Sequence, residues 1–223
     1  MRELADGVFD IELEYVRVFV LEDRPAGTTT LVDTGFDRTG DVLVETLREA
    51  VGTVDRVILT HAGGDHHGGL NDVMDAFDPQ LLAAADETPL LDAIDHEPDV
   101  AFEHGDVLEG DIEVVQVPGH SVCPSALLLR DLGALISADV LDGADRRGLP
   151  EGYLLPPPEL FNHDHAAAER NLETLLDYDF DTVFVFHGTH VFTDARGKLE
   201  RYLDFKGHYR QDRLAAWEAG RTG

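Results

Sequence analysis

Residues 59–69 read LTHAGGDHHGG. Three histidines and an aspartate stand here among four glycines. The stretch follows VDRVILT, residues 54–60, whose β-branched and apolar run predicts a buried strand ending at this loop. Imidazole and carboxylate are good ligands for zinc and other first-row divalent ions. Glycine lets the backbone fold tightly enough for neighbouring side chains to converge on one point. His61, Asp65 and His66 are therefore candidate ligands. One loop seldom closes a metal site alone, so partners are expected from elsewhere in the chain.

Similar junctions recur. TTTLVDTG at 28–35 predicts a strand running into a turn at Asp33. IEVVQVP at 112–118 predicts a strand ending at Gly119-His120-Ser121. SALLLR and ALISAD predict strands, the second ending at Asp139, and FDTVFVF predicts one ending at His187-Gly188-Thr189-His190. Loops at the ends of strands hold active sites over rigid scaffolds, so His120, Asp139 and His187 join the candidate set. GVFDIELEYVRVFVLED, residues 7–23, predicts one or two further strands. RTGDVLVETLREAV predicts a helix burying Val42, Leu43, Leu47 and Val51. HAAAERNLETLLDY predicts a second, with Ala168, Leu172, Leu175 and Leu176 inward and Asn162 or Asp164 as its cap. Residues 149–164, with the triplet Pro156-Pro157-Pro158, predict an extended surface loop shaping the pocket, and a polar helix is expected over 193–223.

The chain has 223 residues, 43% hydrophobic, which suits a single α/β domain over 1–223 with a substantial core. The lone Cys123 excludes an intramolecular disulfide and a cysteine zinc cage within one chain. Charges interrupt every apolar run, and the acidic N-terminus lacks the apolar core of a signal peptide, so a soluble, cytoplasmic protein without membrane contact is expected. There are 45 acids against 17 bases, a formal net charge of −28, and two of those bases are lysines, Lys198 and Lys206. Acids spread along the whole chain point to an acidic surface adapted to the cytosol of a halophile, an archaeon on this reading, where molar salt screens self-repulsion to within about 3 Å. The same charge argues against nucleic-acid partners, which need a basic footprint.

In this order the blocks resemble the metallo-β-lactamase superfamily of hydrolases, whose first signature is Thr-His-x-His-x-Asp-His-x-Gly-Gly. Thr60, His61, Asp65, His66, Gly68 and Gly69 match it. Asp33-Thr34-Gly35, Pro118-Gly119-His120-Ser121, Ala138-Asp139 and His187-Gly188 match the later blocks, from about Gly7 to His190. The resemblance implies a four-layered αβ/βα sandwich with metals at one edge between two sheets. It implies a first site of His61, position 63 and His120, a second of Asp65, His66 and His187, and Asp139 bridging them. Position 63 is Gly63, which carries no ligand atom. One tightly bound zinc is therefore expected, the second weak or absent, with manganese or iron as other candidates for the metal. His67 and His190 are the candidate replacement ligands. Asp33 is expected to support the ligands by hydrogen bonds rather than touch a metal.

A metal-activated water acting on a small ester, thioester, lactone or phosphodiester is the leading expectation, with Asp65 orienting that water or relaying a proton. A degenerate member that binds a ligand or regulates without turnover is the alternative that Gly63 raises. A nuclease acting on RNA or DNA comes third, because no basic substrate-gripping arm is present. A homo-oligomer is left open, with a small molecule as the expected partner.

Overall fold

The computed structural model describes residues 1–205. Two mixed β-sheets pack face to face. The first is ordered β1 (Arg2–Ala5), β2 (Val8–Leu13), β3 (Val16–Glu22), β4 (Thr29–Val32), β5 (Arg56–Leu59), β6 (Gln80–Ala84) and β7 (Val100–Phe102). Its first four strands are antiparallel and its last four parallel, β4 belonging to both sets. The second contains β8 (Val107–Leu108), β9 (Ile112–Gln116), β10 (Ser125–Leu129) and β11 (Ala134–Ile136). Between the last of these and the closing strand, a small ribbon pairs β12 (Asp142–Gly143) with β13 (Leu154–Leu155). The closing strand, β14 (Thr182–Phe184), lies parallel beside β11 at the edge of the second sheet.

Alternation along the second sheet builds the layers. Side chains two apart share a face of a strand. Ile112, Val114, Leu127, Leu129, Ile136, Phe184 and Phe186 join the core between the sheets. Their neighbours Val115, Ala126, Leu128, Leu135, Val183 and Val185 join a second core under the outer helical layer. That layer includes α5 (His165–Asn171), the 3₁₀ run Leu172–Asp177 and a helix over residues 195–205, α6. On the other side lie α1 (Gly40–Ala50) and α3 (Leu70–Phe77), packed on each other and on the first sheet. A single turn, α2 (Gly64–His67), precedes α3, and α4 (Thr88–Ala93) joins β6 towards β7. The architecture is the αβ/βα sandwich.

Some local expectations change and one choice is resolved. In α1 Val42 faces solvent and Val44 is buried beside Leu43 and Leu47. The helix expected over 165–178 stops at Asn171 and continues as a 3₁₀ run, although Ala168, Leu172 and Leu175 are buried as expected. Asp164 caps α5, its Oδ1 accepting the Ala167 N–H at 2.9 Å, while Asn162 is used elsewhere. The C-terminal helix begins at 195, and the part expected beyond 205 lies outside the described residues.

Leu127 is fully buried between the sheets. Leu127→Ala should cost about 2–5 kcal/mol through lost burial and the cavity left behind. Urea unfolding should show the lower midpoint at an unchanged slope; an unshifted midpoint would mean that this layer collapses around the gap.

Candidate metal centre

Strands β4, β5, β9, β11 and β14 all end at the same edge of the sandwich. The turns that follow bring together His61, Asp65, His66, His120, Asp139 and His187, which lie 126 residues apart at the extremes. Two sets have ligand atoms all within 4.8 Å of one another: His61, His66 and Asp139, and Asp65, His66 and His187. His66 belongs to both. Asp139 Oδ1 lies 3.3 Å from His66 Nε2 and 3.4 Å from His187 Nε2, and its Oδ2 lies 3.4 Å from His120 Nε2. His187 Nε2 is 3.3 Å from Asp65 Oδ2.

The rings are aimed from behind. Asp33 Oδ2 lies 2.7 Å from His66 Nδ1. Asn162 Oδ1 lies 3.0 Å from His120 Nδ1, and the Tyr15 carbonyl is 3.4 Å from His187 Nδ1. Thr60 Oγ1 lies 3.2 Å from His61 Nδ1. Holding Nδ1 fixes the tautomer and turns Nε2 inward, the arrangement by which ligating histidines are oriented. Asp33 serves the loop as well, accepting from the Thr60 N–H and hydroxyl at 2.9 and 2.8 Å. Its backbone is left-handed, with φ +61°, as is that of Ala138 before Asp139, with φ +46°. Non-glycine residues held there carry strain of the kind that gathers at functional sites.

The donor set fits a divalent cation. His61 Nε2, His66 Nε2 and Asp139 Oδ1 are buried with no hydrogen-bond partner. Such orphans are costly unless something binds them. The separations of 3.3–3.4 Å match the edge of a tetrahedron whose bonds are about 2.0–2.1 Å. Electrostatics agree. Burial resists a charge on His66, but the Asp33 and Asp139 carboxylates overcome it and raise its proton affinity to a pKa of about 10. The same negative surroundings favour a metal cation. Burial likewise opposes ionising Asp139, yet the surrounding histidines, His66 foremost, hold it well below the usual carboxylate range. His61, fully buried beside His66, is held well below the ordinary imidazole value by burial.

Gly63 has φ −63° and ψ 128°, a backbone any residue adopts. A Cβ built there would stand 2.7 Å from His61 Nε2, 2.9 Å from His66 Cδ2 and 3.1 Å from Asp65 Oδ1. Position 63 thus points into the cluster, and the missing side chain lets the His61 ring lie where it would begin. Gly119 is constrained in the opposite way. Its φ is +145°, and a Cβ would collide with the Ala168 backbone at 2.1 Å, so glycine seats the His120 turn against α5.

His67 and His190 fall outside both ligand sets among the described residues. The backbone of His67 bridges to Gly35, and its ring is half-buried. His190 works as a latch: its Nδ1 accepts the Val185 N–H at 3.1 Å and its Nε2 reaches Asp10 Oδ2 at 3.1 Å. Asp10 also binds Arg2 and lies 3.5 Å from Arg17 Nε, while Arg17 donates to the Gly188 carbonyl at 2.5 Å. The Asp145 carboxylate takes the Thr189 N–H and hydroxyl at 2.8 and 3.0 Å. The turn that carries His187 is therefore pinned from the first sheet by Asp10 and Arg17 and from the turn after β12 by Asp145. Nothing local in the sequence announces this network, because Asp10 and His190 are 180 residues apart.

A cleft of about 660 Å³ opens onto the cluster, lined by Asp65, His120, Asp139 and His187 and by Tyr15, Phe36, Arg38, Arg146 and Phe161. Phe161 belongs to the segment expected to shape the pocket, and the neighbouring Asn162 orients His120.

Residues 12–187 match the model of the metallo-beta-lactamase superfamily. The chain belongs to this superfamily. It is 30% identical over 126 residues to a hydroxyacylglutathione hydrolase of Roseobacter denitrificans, covering 55% of this chain and 47% of that one. A hydroxyacylglutathione hydrolase of Shewanella baltica is 25% identical over 160 residues, 70% of this chain and 58% of the relative. The chain thus spans about half the length of these curated relatives. Among solved structures, a metallo-beta-lactamase family protein of Thermus thermophilus superposes with a TM-score of 0.69 at 19% identity, covering 96% of this chain and 82% of that one. The metallo-beta-lactamase FIM-1 of Pseudomonas aeruginosa, in its mono-zinc form, gives 0.69 at 15% identity, covering 92% and 94%. No helix among the described residues is long and apolar enough to cross a membrane.

The latch predicts a pH-dependent contribution. Burial opposes ionising Asp10, but hydrogen bonds from His190 and Arg2 outweigh it and lower its pKa to about 2. A lowered carboxylate pKa stabilises the fold above the unfolded value near 4 and loses that effect as pH falls towards 2. Asp10→Asn should cost on the order of 2 kcal/mol at neutral pH. Urea denaturation should show the gap from wild type closing between about pH 4 and pH 2; a gap independent of pH would assign the effect to packing.

Proposed function

We propose that the protein is a metal-dependent hydrolase of small thioesters, with one metal bound strongly by Asp65, His66, Asp139 and His187. The observation that carries this reading is the convergence of imidazole Nε2 atoms on the buried Asp139, each ring held at Nδ1 from behind. The similarity to two hydroxyacylglutathione hydrolases supports a thioester over the other acyl and phosphoryl substrates that such a centre handles. Zinc suits the nitrogen and oxygen donors, and manganese and iron are the competing ions.

When bound, the metal supplies a Lewis acid that polarises the scissile carbonyl and brings the pKa of a coordinated water towards about 7. The remaining work falls to the chain. Asp33 keeps His66 in the tautomer that presents Nε2. Asp65, a quarter exposed at the cleft wall, offers carboxylate oxygens to orient the attacking water and accept its proton. Burial opposes its ionisation, but His187 and His66 hold it below the usual carboxylate range, so it stays ionised and can orient the water as a hydrogen-bond acceptor. The apolar walls around Phe186, whose ring stacks on His66 at 3.7 Å, keep bulk water from the buried side of the cluster.

His61 and His120 form the weaker half of the centre. With Gly63 in place of a third imidazole, they have only His66 and Asp139, both claimed by the stronger half, to complete a ligand set. This departure also supports a second reading, a member that binds its ligand without turnover. Hydrolysis of an acyl thioester of N-acetylcysteamine by zinc-, manganese- or iron-loaded protein separates the two: turnover supports the hydrolase, and its absence with every ion supports the binding protein.

Metal analysis of purified protein should give close to one ion per chain. His66→Ala and His187→Ala should each lose it and abolish thioesterase activity; retention of both metal and activity would overturn the assignment. Gly63→His should raise the stoichiometry towards two, its ring displacing that of His61 from the space it occupies. An unchanged count would mean that the weaker half is already complete through another ligand.

A further inference from the structure

Glu87, in the turn between β6 and α4, is a fully buried acid that the proposed reaction does not use. No cation pairs with it among the described residues. Its Oε2 accepts the Cys123 backbone N–H, and its Oε1 is buried with no hydrogen-bond partner. A carboxyl group buried in this way costs free energy, and an apolar side chain would fill the space more cheaply. Cys123 offers little beyond that N–H: burial first, then Glu87 and Asp86, push its thiol up and keep it protonated. What the bond holds is the turn that carries His120. The two edges of this turn are gripped by different halves of the sandwich. The carbonyls of Pro118, Gly119 and His120 accept from Asn171 Nδ2 and from the N–H groups of Asp164 and His163, at 2.8, 2.8 and 3.0 Å, all on the side of α5. Bonds from the first sheet hold the other edge. The Ser125 N–H donates to the Thr60 carbonyl at 3.0 Å, and the Cys123 N–H donates to Glu87. Thr60 precedes His61, so this edge joins the two histidines of the weaker half, whose rings stand edge to face with centroids 4.9 Å apart. The Gly119 N–H meets the Ser121 carbonyl at 3.0 Å and closes the turn on itself, so the anchor at Cys123 reaches His120 through a tight loop of backbone.

We infer that Glu87 is a positioning residue of the metal centre: by holding the Cys123 N–H it sets His120 against His61. Partners behind a ligand set its orientation and hence its affinity for metal. Glu87 acts one step further back, through the backbone, and on the weaker half of the centre alone, since Asp65, His66 and His187 hang from other turns. The inference rests on the metal-centre reading, but the position of the His120 ring is read without any reaction. Protein labelled with ¹⁵N-histidine gives imidazole nitrogen signals for each ring, with and without zinc. Glu87→Ala should shift those of His120 and leave those of His187 in place, and zinc content should stay close to one ion per chain. Glu87→Gln keeps an acceptor oxygen at the same reach and should restore the wild-type His120 signals. If Glu87→Ala fails to fold, Glu87→Leu serves in its place; it fills the space without an acceptor and should shift the same signals. His120 signals unmoved by loss of the acceptor, or moved as far by Glu87→Gln as by Glu87→Ala, would overturn the positioning role. Equal shifts at His187, or loss of the bound zinc, would overturn it as well and assign Glu87 to the stability of the fold at large. Wild type that binds no zinc, with His120 still displaced in metal-free Glu87→Ala and restored in Glu87→Gln, would overturn the metal reading and leave Glu87 as the residue that places His120.

Discussion

Asp139 is the constraint around which the structure is arranged. It is a buried carboxylate facing His66, His120 and His187 at 3.3–3.4 Å. An ionised group is costly to bury unless its charge is met. Here the imidazoles meet it only in part, because their Nε2 atoms are themselves turned inward with nothing to bind. A cluster of this kind is stable only around a cation, whether protons or a metal. Its geometry must therefore be imposed by the surrounding protein, which explains why each ring is held at Nδ1 and why two residues accept left-handed backbones nearby.

The scaffold that imposes this geometry is the pair of sheets. Asp65, His66 and Asp33 come from turns on the first sheet, and His120, Asp139 and His187 from the second. The cluster is thus assembled across the sandwich, and its precision depends on how firmly the two halves are joined. The core between the sheets supplies most of that join without direction. Direction comes from polar contacts at the edge: Asp10 on β2 with His190 beyond β14, Arg17 on β3 with the Gly188 carbonyl, and His187 Nδ1 near the Tyr15 carbonyl. Hydrogen bonds carry angular information that apolar packing lacks, and these lie next to the ligand that is last in sequence.

Much of this was legible in the chain. Strand periodicity and the apolar runs before each loop located β2–β5, β9–β11 and β14. The candidate ligands were readable because each sits at such a junction. What escaped was whatever depends on contacts distant in sequence. Val42 and Val44 are both compatible with a helix, and only the angle of α1 on the sheet decides which is buried. The helix after Asp164 keeps its inward residues yet tightens at Leu172, where it must pack under β10 and β11. His190 looked like a spare ligand because it lies near His187 in sequence, but both of its ring nitrogens are taken by Val185 and Asp10. Arg38 and Arg146 carried no signal at all, since a cleft has no sequence pattern.

Gly63 ties these levels together. Its φ and ψ suit any residue, so the backbone does not demand glycine there. The space does: His61 Nε2 lies 2.7 Å from where a Cβ would stand. Absence of a side chain therefore does two things at once. It removes a donor from the half of the centre next to His120, and it lets His61 lean towards His66 and Asp139. The donors become concentrated on one side of Asp139 instead of being divided evenly. On the proposed reading such a centre holds one ion firmly, and the cleft wall carries no side chain at Gly63.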